Sequence, residues 1–495
     1  MDIGHPDERR TAWMLGIFLL TLSGLRLLLA GRLELSPDEA YYLAWARQPA
    51  WGYFDHPPLL AWLIHVAAGL LGESEFSVRL PAILHGAATS WLLFENALAL
   101  SATARQAFWL AVLGSATPLL SVGSLIATPE TALAFSWSLL LFFALRLRAD
   151  RHGPWLGLGL ALALCVLSKN TGWLAVLGLA LYAAASRPGR EALLSPRSVL
   201  AGTVALGLIV PHLAWNSLHR GGSLAFQAQH AFGGVSFAPM RFLEFLGSQL
   251  GVLGPVAALA AGTFLVVGLS RRVITTRPQI FLCWCLAAPL ALLCLGLSLF
   301  HKVEANWPAA AWAAALPAVP WMIFGGRWYV RRPAVWTALA VGIAGIFSVL
   351  IHVQALAPWI PIPMERDATA RLRGWRELSR EAADDAEALG AALAAEGYAT
   401  TSVLSFYTGH SVRYLPVPGR RSQYDLWEEE LPSRALPPRL LVLQPAGDIL
   451  RPPDVCRQAA QRYLLLKEGP DAPARAPFYR FWVCEGIESR VEGKP

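Results

Sequence analysis

From residue 11 to residue 355 this chain is a succession of apolar runs, most of them close to the ~20 residues that a helix needs to cross a hydrocarbon core. A backbone in lipid must satisfy its own polar groups, so such runs are confined to helices. The runs at 11–30, 79–100, 106–125, 130–147, 154–168, 172–186, 198–217, 248–269, 279–299, 308–326 and 333–355 predict about eleven transmembrane helices. With 55% hydrophobic and 15% charged residues in 495, the composition excludes a soluble globule of this length.

The formal charge of +7 does not mark a nucleic-acid binder, because the arginines sit in short clusters between apolar runs and form no basic module. Arg9/Arg10, Arg105, Arg146/Arg148/Arg151, Arg187/Arg190/Arg197, Arg271/Arg272/Arg277 and Arg327/Arg331/Arg332 all fall on one side of the threaded chain, which the positive-inside rule makes the cytoplasm. Counting Pro57–Leu71 as a span would put Arg105 outside and invert every later loop, so that segment reads as an interfacial helix. The first run follows Arg9 and Arg10, lacks a small-residue cleavage site and reads as an uncleaved anchor. The expected organisation is a transmembrane domain over 1–356, with a first outer loop at 31–78, and a small extracytoplasmic α/β domain over 357–495.

In that tail, Glu365 to Ala394 reads as charged helix, and Ser402–Phe406, Leu440–Leu443 and Phe478–Val483 read as strands. Cys165, Cys283, Cys285 and Cys294 lie in apolar runs as small hydrophobes, whereas Cys456 and Cys484 lie in the tail, where an oxidising compartment would let them pair. No internal repeat is evident, which speaks against a transporter built from two pseudo-symmetric halves.

The outer loops carry the polar chemistry. Ser36-Pro37-Asp38-Glu39 has the form of a capping box, with Ser at N-cap, Pro at N1 and Glu at N3. The cap accounts for Glu39 and leaves Asp38, at N2, able to point elsewhere, on the face of Tyr42 and Trp45. Asp55 and His56 precede Pro57-Pro58; helix capping explains Asp55, and orienting a phosphate-bound divalent metal or a substrate hydroxyl is the functional alternative. Thr128-Pro129-Glu130 repeats the order of cap, proline and acid at the same membrane face. Lys169 interrupts two apolar runs, either snorkelling or meeting a phosphate. Asn216, His219 and Arg220, followed by Gln227 and His230, suit an anionic lipid head or simply a solvated loop. Asn306 and Trp307 close the series, Trp307 also fitting an interfacial belt.

Taken in order, Asp38-Glu39-Ala40-Tyr41-Tyr42, Phe54-Asp55-His56-Pro57-Pro58-Leu59, Thr128-Pro129-Glu130, Lys169, Trp215-Asn216, Asn306-Trp307-Pro308 and Gln423-Tyr424-Asp425-Leu426-Trp427 resemble the bacterial branch of the dolichyl-phosphate-mannose protein mannosyltransferase superfamily, which includes the aminoarabinose transferase of lipid A. The resemblance implies a C-type glycosyltransferase fold and an inverting transfer from a polyprenyl-phosphate sugar, undecaprenyl phosphate being the expected carrier. The acceptor would be an extracytoplasmic lipid, glycan or protein, in a bacterial inner membrane. It implies that Asp38 is the essential first-loop carboxylate and that Asp55 holds the acid position before Pro-Pro. With the loop readings above, Asp38 and Glu39 are the candidate catalytic residues, Tyr42, His56, Glu130, Lys169, Asn216, His219, Arg220, Asn306 and Trp307 the candidate substrate contacts, and Asp55 the candidate metal ligand. Relatives of the aminoarabinose type often carry Lys before Pro-Pro, where this chain has His56. The competing readings are a flippase for lipid-linked saccharides and a membrane scaffold whose tail binds a partner.

Overall fold

A computed structural model describes residues 6–148, 150–219, 223, 236–324, 332–363, 366–430, 437–445, 456–463 and 479–487. The chain packs as two compact units: residues 1–32 with 49–359, and residues 33–48 with 360–495.

The first unit is helical. Among its described residues, four helices are long and apolar enough to cross a membrane: Pro6–Ala30, Arg197–Leu218, Pro278–Ser298 and Pro333–Leu356. Their outer surfaces explain themselves only in lipid, since Trp13 is 75% and Leu20 76% exposed. Fewer helices meet this criterion than the expected number of spans: Pro129–Ala144, Gly153–Ser168 and Trp173–Ala185 have 16, 16 and 13 residues, and the 25-residue helix Glu75–Ala99 mixes polar and charged residues with its apolar ones. The expected span at 248–269 is two helices, Pro239–Leu253 and Pro255–Val267, meeting at 119°. Gly254 makes the corner with φ +78°, a conformation costly for other residues, and Pro255 starts the next helix. The run at 106–125 is likewise divided at Thr117-Pro118, where the Thr117 side chain caps the new helix. Pro57–Leu71 yields a helix over Leu59–Leu71, whose 13 residues are too few to span.

Pro278–Ser298 lies at the centre, 61% of its most apolar window buried. Against it packs Ala309–Ala315, every residue of which is buried. The alanines let backbones approach closely, the usual route to helix association where lipid and side chains are equally apolar.

The second unit holds a five-stranded mixed sheet: β1 (Ala392–Glu396), β2 (Arg413–Leu415), β3 (Arg439–Pro445), β4 (Cys456–Tyr463) and β5 (Tyr479–Ile487), in the order β2-β1-β3-β5-β4. β1 pairs parallel with β2 and β3; β5 runs antiparallel to β3 and β4, with Ala394 opposite Val442 and Val442 opposite Trp482. The expected strands at 440–443 and 478–483 lie within β3 and reach into β5. Two expectations fail. Ser402–Phe406 is inside the helix Tyr398–Thr408, where Thr401 and Ser402 return their hydroxyls to the carbonyls of Gly397 and Tyr398. The helical stretch read through to Ala394 ends at Ala388, and Ala392–Glu396 is β1, its Ala394 and Ala395 fully buried between strands on both sides. The Trp375–Ala388 helix buries Trp375, Leu378, Ser379, Ala382 and Ala386, the stripe expected of an amphipathic helix.

Residues 33–48 belong with this tail for specific reasons. Glu34 accepts from the Trp375 amide, the Leu35 amide donates to Tyr407 Oη at 2.7 Å, and Tyr41 Oη accepts from the Gln423 amide at 2.6 Å. Cys165, Cys283, Cys285 and Cys294 are free thiols and Cys484 is disulfide-bonded. The side chain of Cys456 lies outside the described ones.

Candidate active site

The helix Pro37–Arg47 begins as its sequence dictates. Ser36 Oγ accepts from the Glu39 amide at 3.3 Å, and Glu39 Oε2 accepts from the Ser36 amide at 3.0 Å, completing a reciprocal cap that leaves Glu39 fully buried. Asp38 takes no part in that box. Its Oδ1 accepts a hydrogen bond from Tyr398 Oη at 3.3 Å. Around it the second unit assembles aromatic rings: Tyr41 lies 4.4 Å from Tyr398 and 5.8 Å from Tyr424, centroid to centroid, and Tyr42 packs on Trp45 at 5.0 Å. Tyr424 stacks on Tyr414 and meets Trp427 edge-on. Burial pushes the Tyr424 phenol upward, while a hydrogen bond with Ser402 and the charge of Arg47 pull the other way. These rings of the tail therefore pack chiefly on one another, and Asp425 is engaged by Tyr414 and Ser422.

In the first unit the polar outer-loop residues form two groups. One is built at helix breaks. The helix Gly153–Ser168 stops at Lys169, whose extended backbone (φ −158°) is followed by a single 3-10 turn closed at Gly172. A Cβ at Gly172 would lie 2.0 Å from the Cys165 carbonyl oxygen, so only glycine lets the chain turn here. Lys169 Nζ reaches Glu130 Oε1 at 2.7 Å, the two side chains being 8% and 12% exposed. A charge pair this buried persists only with close geometry, since neither ion is otherwise tolerated in such surroundings. Trp307 lies with its ring 5.0 Å from Nζ, adding a cation–π contact. Gln249 holds that loop by donating to the Ala305 carbonyl at 3.1 Å while accepting from Trp312 at 2.9 Å. His56 lies within electrostatic reach of the Glu130 carboxylate.

The other group surrounds the start of the same 50–58 loop. His212 Nδ1 meets the Trp51 carbonyl at 2.9 Å, and Asn216 Nδ2 lies 3.1 Å from His212 Nε2. A Cβ on Gly52 would stand 2.4 Å from the Trp215 ring, so glycine admits the tryptophan. Trp215 in turn stacks on His219 at 4.2 Å. Tyr53 is wholly buried, accepting from the Ala50 amide at 3.0 Å; burial pushes its phenol up to about 12 against that hydrogen bond. Asn170 Nδ2 donates to Ser223 Oγ at 2.8 Å, tying Lys169's neighbour to the chain beyond His219.

The loop at 51–58 thus reaches Glu130, the partner of Lys169, through His56, and meets His212 and Trp215, the neighbours of Asn216 and His219, through Trp51 and Gly52. Asn306 closes the turn beneath Trp307, its carbonyl accepting from the Ala309 amide at 3.0 Å. Arg220, Gln227 and His230 lie outside the described residues. Asp55 is buried, and among the described residues no three His, Cys, Asp or Glu side chains gather into an all-protein metal site. An ion shared between one carboxylate and substrate phosphates needs no such cluster, and no step is assigned to a metal. Sequence reasoning missed His212 and Gln249, although His212 and Asn216, four apart in an otherwise apolar run, were a visible pair of polar neighbours on one helix face. It also missed Tyr398 and Arg420, for which no local pattern exists.

Residues 55–215 match the family described as dolichyl-phosphate-mannose-protein mannosyltransferase, a stretch containing Asp55, Glu130, Lys169 and Trp215. The lipid A galacturonosyltransferase RgtD of Rhizobium johnstonii is 27% identical over 351 residues, covering 70% of this chain and 72% of the relative. The crystal structure of ArnT from Cupriavidus metallidurans bound to undecaprenyl phosphate gives a TM-score of 0.64 over 96% of this chain and 98% of that one, at 16% identity. Its apo state gives 0.62 at 17% identity over the same shares. At such identity this likeness concerns the fold, while the sequence matches carry the activity and favour glycosyl transfer over the flippase and scaffold readings. The apolar helices, the mixed sheet of the tail and these matches together make the chain a multi-pass membrane glycosyltransferase with the C-type fold.

Proposed function

We propose that the protein moves one sugar from a polyprenyl phosphate to an extracytoplasmic acceptor with inversion at the anomeric carbon, in a bacterial inner membrane. The carrying observation is Lys169: a buried ammonium has three donors, one of which meets Glu130, and its position at a helix break suits a phosphate oxygen. ArnT, which shares the fold, binds undecaprenyl phosphate, and the relative RgtD is named for lipid A, which makes undecaprenyl-phosphate sugars and lipid A the first donor and acceptor to offer. One-sided arginine clusters support an outward-facing site and tail.

In the reaction an acceptor hydroxyl attacks the anomeric carbon from the face opposite the phosphate. Its proton passes to the Asp38 carboxylate, the bond from that carbon to the phosphate oxygen breaks, and polyprenyl phosphate leaves with an additional negative charge. Lys169 and Arg220 stabilise the growing charge, an effect largest where water is scarce. Tyr42, His56, Asn216, His219, Asn306 and Trp307 contact the substrates, and Glu130 holds Lys169. The test is purified protein with lipid-linked sugars and candidate acceptors. Asp38→Asn, folded as judged by its melting curve, should lose about 10²–10⁴-fold in turnover, the usual size of a general-base contribution. Full turnover by that variant would remove Asp38 from the mechanism.

A further inference from the structure

The cap fixes the start of the Pro37–Arg47 helix but engages Glu39, not Asp38. The phenol of Tyr398, 360 residues away in the tail of the chain, donates a hydrogen bond to Asp38. That tyrosine is firmly mounted. It opens the Tyr398–Thr408 helix directly after Gly397, which has φ +79° and donates its amide to the Leu415 carbonyl at 2.9 Å, at the end of β2. Tyr398 therefore stands at the carboxyl ends of the parallel strands β1 and β2, the rim where open α/β sheets place functional groups. Arg420 is also held by the backbone, in a turn where Val417 and Arg420 bridge and Gly419 has φ +79°. Its guanidinium carbon lies 5.4 Å from the Tyr398 ring centroid.

We propose that Tyr398 is a positioning residue for Asp38, that Arg420 strengthens it, and that supplying this pair is what the C-terminal unit contributes to sugar transfer. A short carboxylate side chain has several rotamers of similar energy, and a donor mounted on a sheet edge selects one of them. A hydrogen bond to the charged form also keeps the carboxylate ionised, hence ready to take a proton. A cation over the phenol ring draws electron density from it and makes the hydroxyl a better donor. The titratable groups on the elements around this arrangement include Glu39, Tyr41, Tyr42 and Arg47 on the helix of Asp38, Tyr398 itself, Arg420 on the turn, and Tyr424 and Asp425 on Gln423–Glu430. Glu39 serves the cap and Asp425 accepts from Tyr414 and Ser422, while Tyr398 donates to Asp38 itself and is the group to test.

This inference rests on the reading of Asp38 as the proton acceptor, so the experiment measures both. Full-length Tyr398→Phe, Arg420→Gln and Asp38→Asn are purified in detergent, checked for an unchanged melting curve, and assayed with one lipid-linked sugar over a range of pH. Tyr398→Phe should lower kcat about tenfold, the worth of one hydrogen bond to a charged group, with KM for the donor unchanged. Its acid limb should move to higher pH, because a carboxylate deprived of a donor protonates sooner as pH falls. Arg420→Gln should shift both in the same sense by a smaller factor. Loss of turnover in Asp38→Asn with kcat and acid limb unchanged in folded Tyr398→Phe overturns this inference alone. Full turnover in Asp38→Asn overturns it together with the reading beneath it. If Tyr398→Phe does not fold, the same two readouts in Arg420→Gln decide, an unmoved acid limb again counting against the proposal.

Discussion

Ser36-Pro37-Asp38-Glu39 and Thr128-Pro129-Glu130 are written in the same local grammar, a capping residue followed by proline and acid, yet the fold uses them differently. At the first, Ser36 and Glu39 satisfy each other's backbone amides. At the second, Thr128 makes no side-chain cap; its hydroxyl lies 3.2 Å from that of Thr131, and Glu130 is drawn instead to Lys169 at 2.7 Å. Local sequence therefore places a helix start, while a partner far along the chain decides which acid serves the cap and which serves a charge. The difference has energetic content: a cap is an exchange of hydrogen bonds, and a buried ion pair is a commitment that neither partner can keep alone.

The largest expected effect follows from that commitment. Lys169→Met leaves the Glu130 carboxylate buried beside an apolar side chain, and breaking such a pair costs about 3–5 kcal/mol. The double variant Lys169→Met/Glu130→Gln, with no charge to strand, should recover most of that stability in a thermal melt while remaining inactive. A single variant as stable as the wild type would mean that Glu130 finds another partner, and the contrast with Glu39 would then collapse.

These two helix starts also show how far the sequence is legible. Helix limits followed from apolar runs and prolines: the run at 333–355 is the helix Pro333–Leu356, and that at 279–299 is Pro278–Ser298. What the runs did not reveal was the corner at Gly254, because a glycine followed by proline in apolar surroundings is consistent with either a continuing or a broken helix. In the tail, Ala392–Glu396 has the composition of a helix and becomes β1 because two strands flank it, a tertiary effect that no propensity contains. In the site, the separation of Asp38 from Glu39 could be read from cap geometry alone. Tyr398 could not, since nothing near it in sequence distinguishes it from the tail's other tyrosines.

A sharper separation of the two acids comes from Glu39→Gln. Glutamine can fill the N3 place in a capping box, so this variant should keep both its melting temperature and its turnover to within about twofold. Turnover lost at unchanged stability would make Glu39 a catalytic group as well as a cap, and the carboxylate itself, not its hydrogen-bonding shape, would be what the reaction uses.

The smallest effect tests the caps directly. Ser36→Ala removes an acceptor that the Glu39 amide uses, and losses of this kind are about 1 kcal/mol. Thr128→Ala removes a hydroxyl that caps nothing by its side chain, and should stay within about 0.5 kcal/mol of the wild type, as substitutions away from such features do. Melting curves of the two variants, taken side by side in one detergent, measure the difference. Equal losses would show that Thr128 also caps its helix in solution, and Glu130 would then owe its place to the helix start as much as to Lys169.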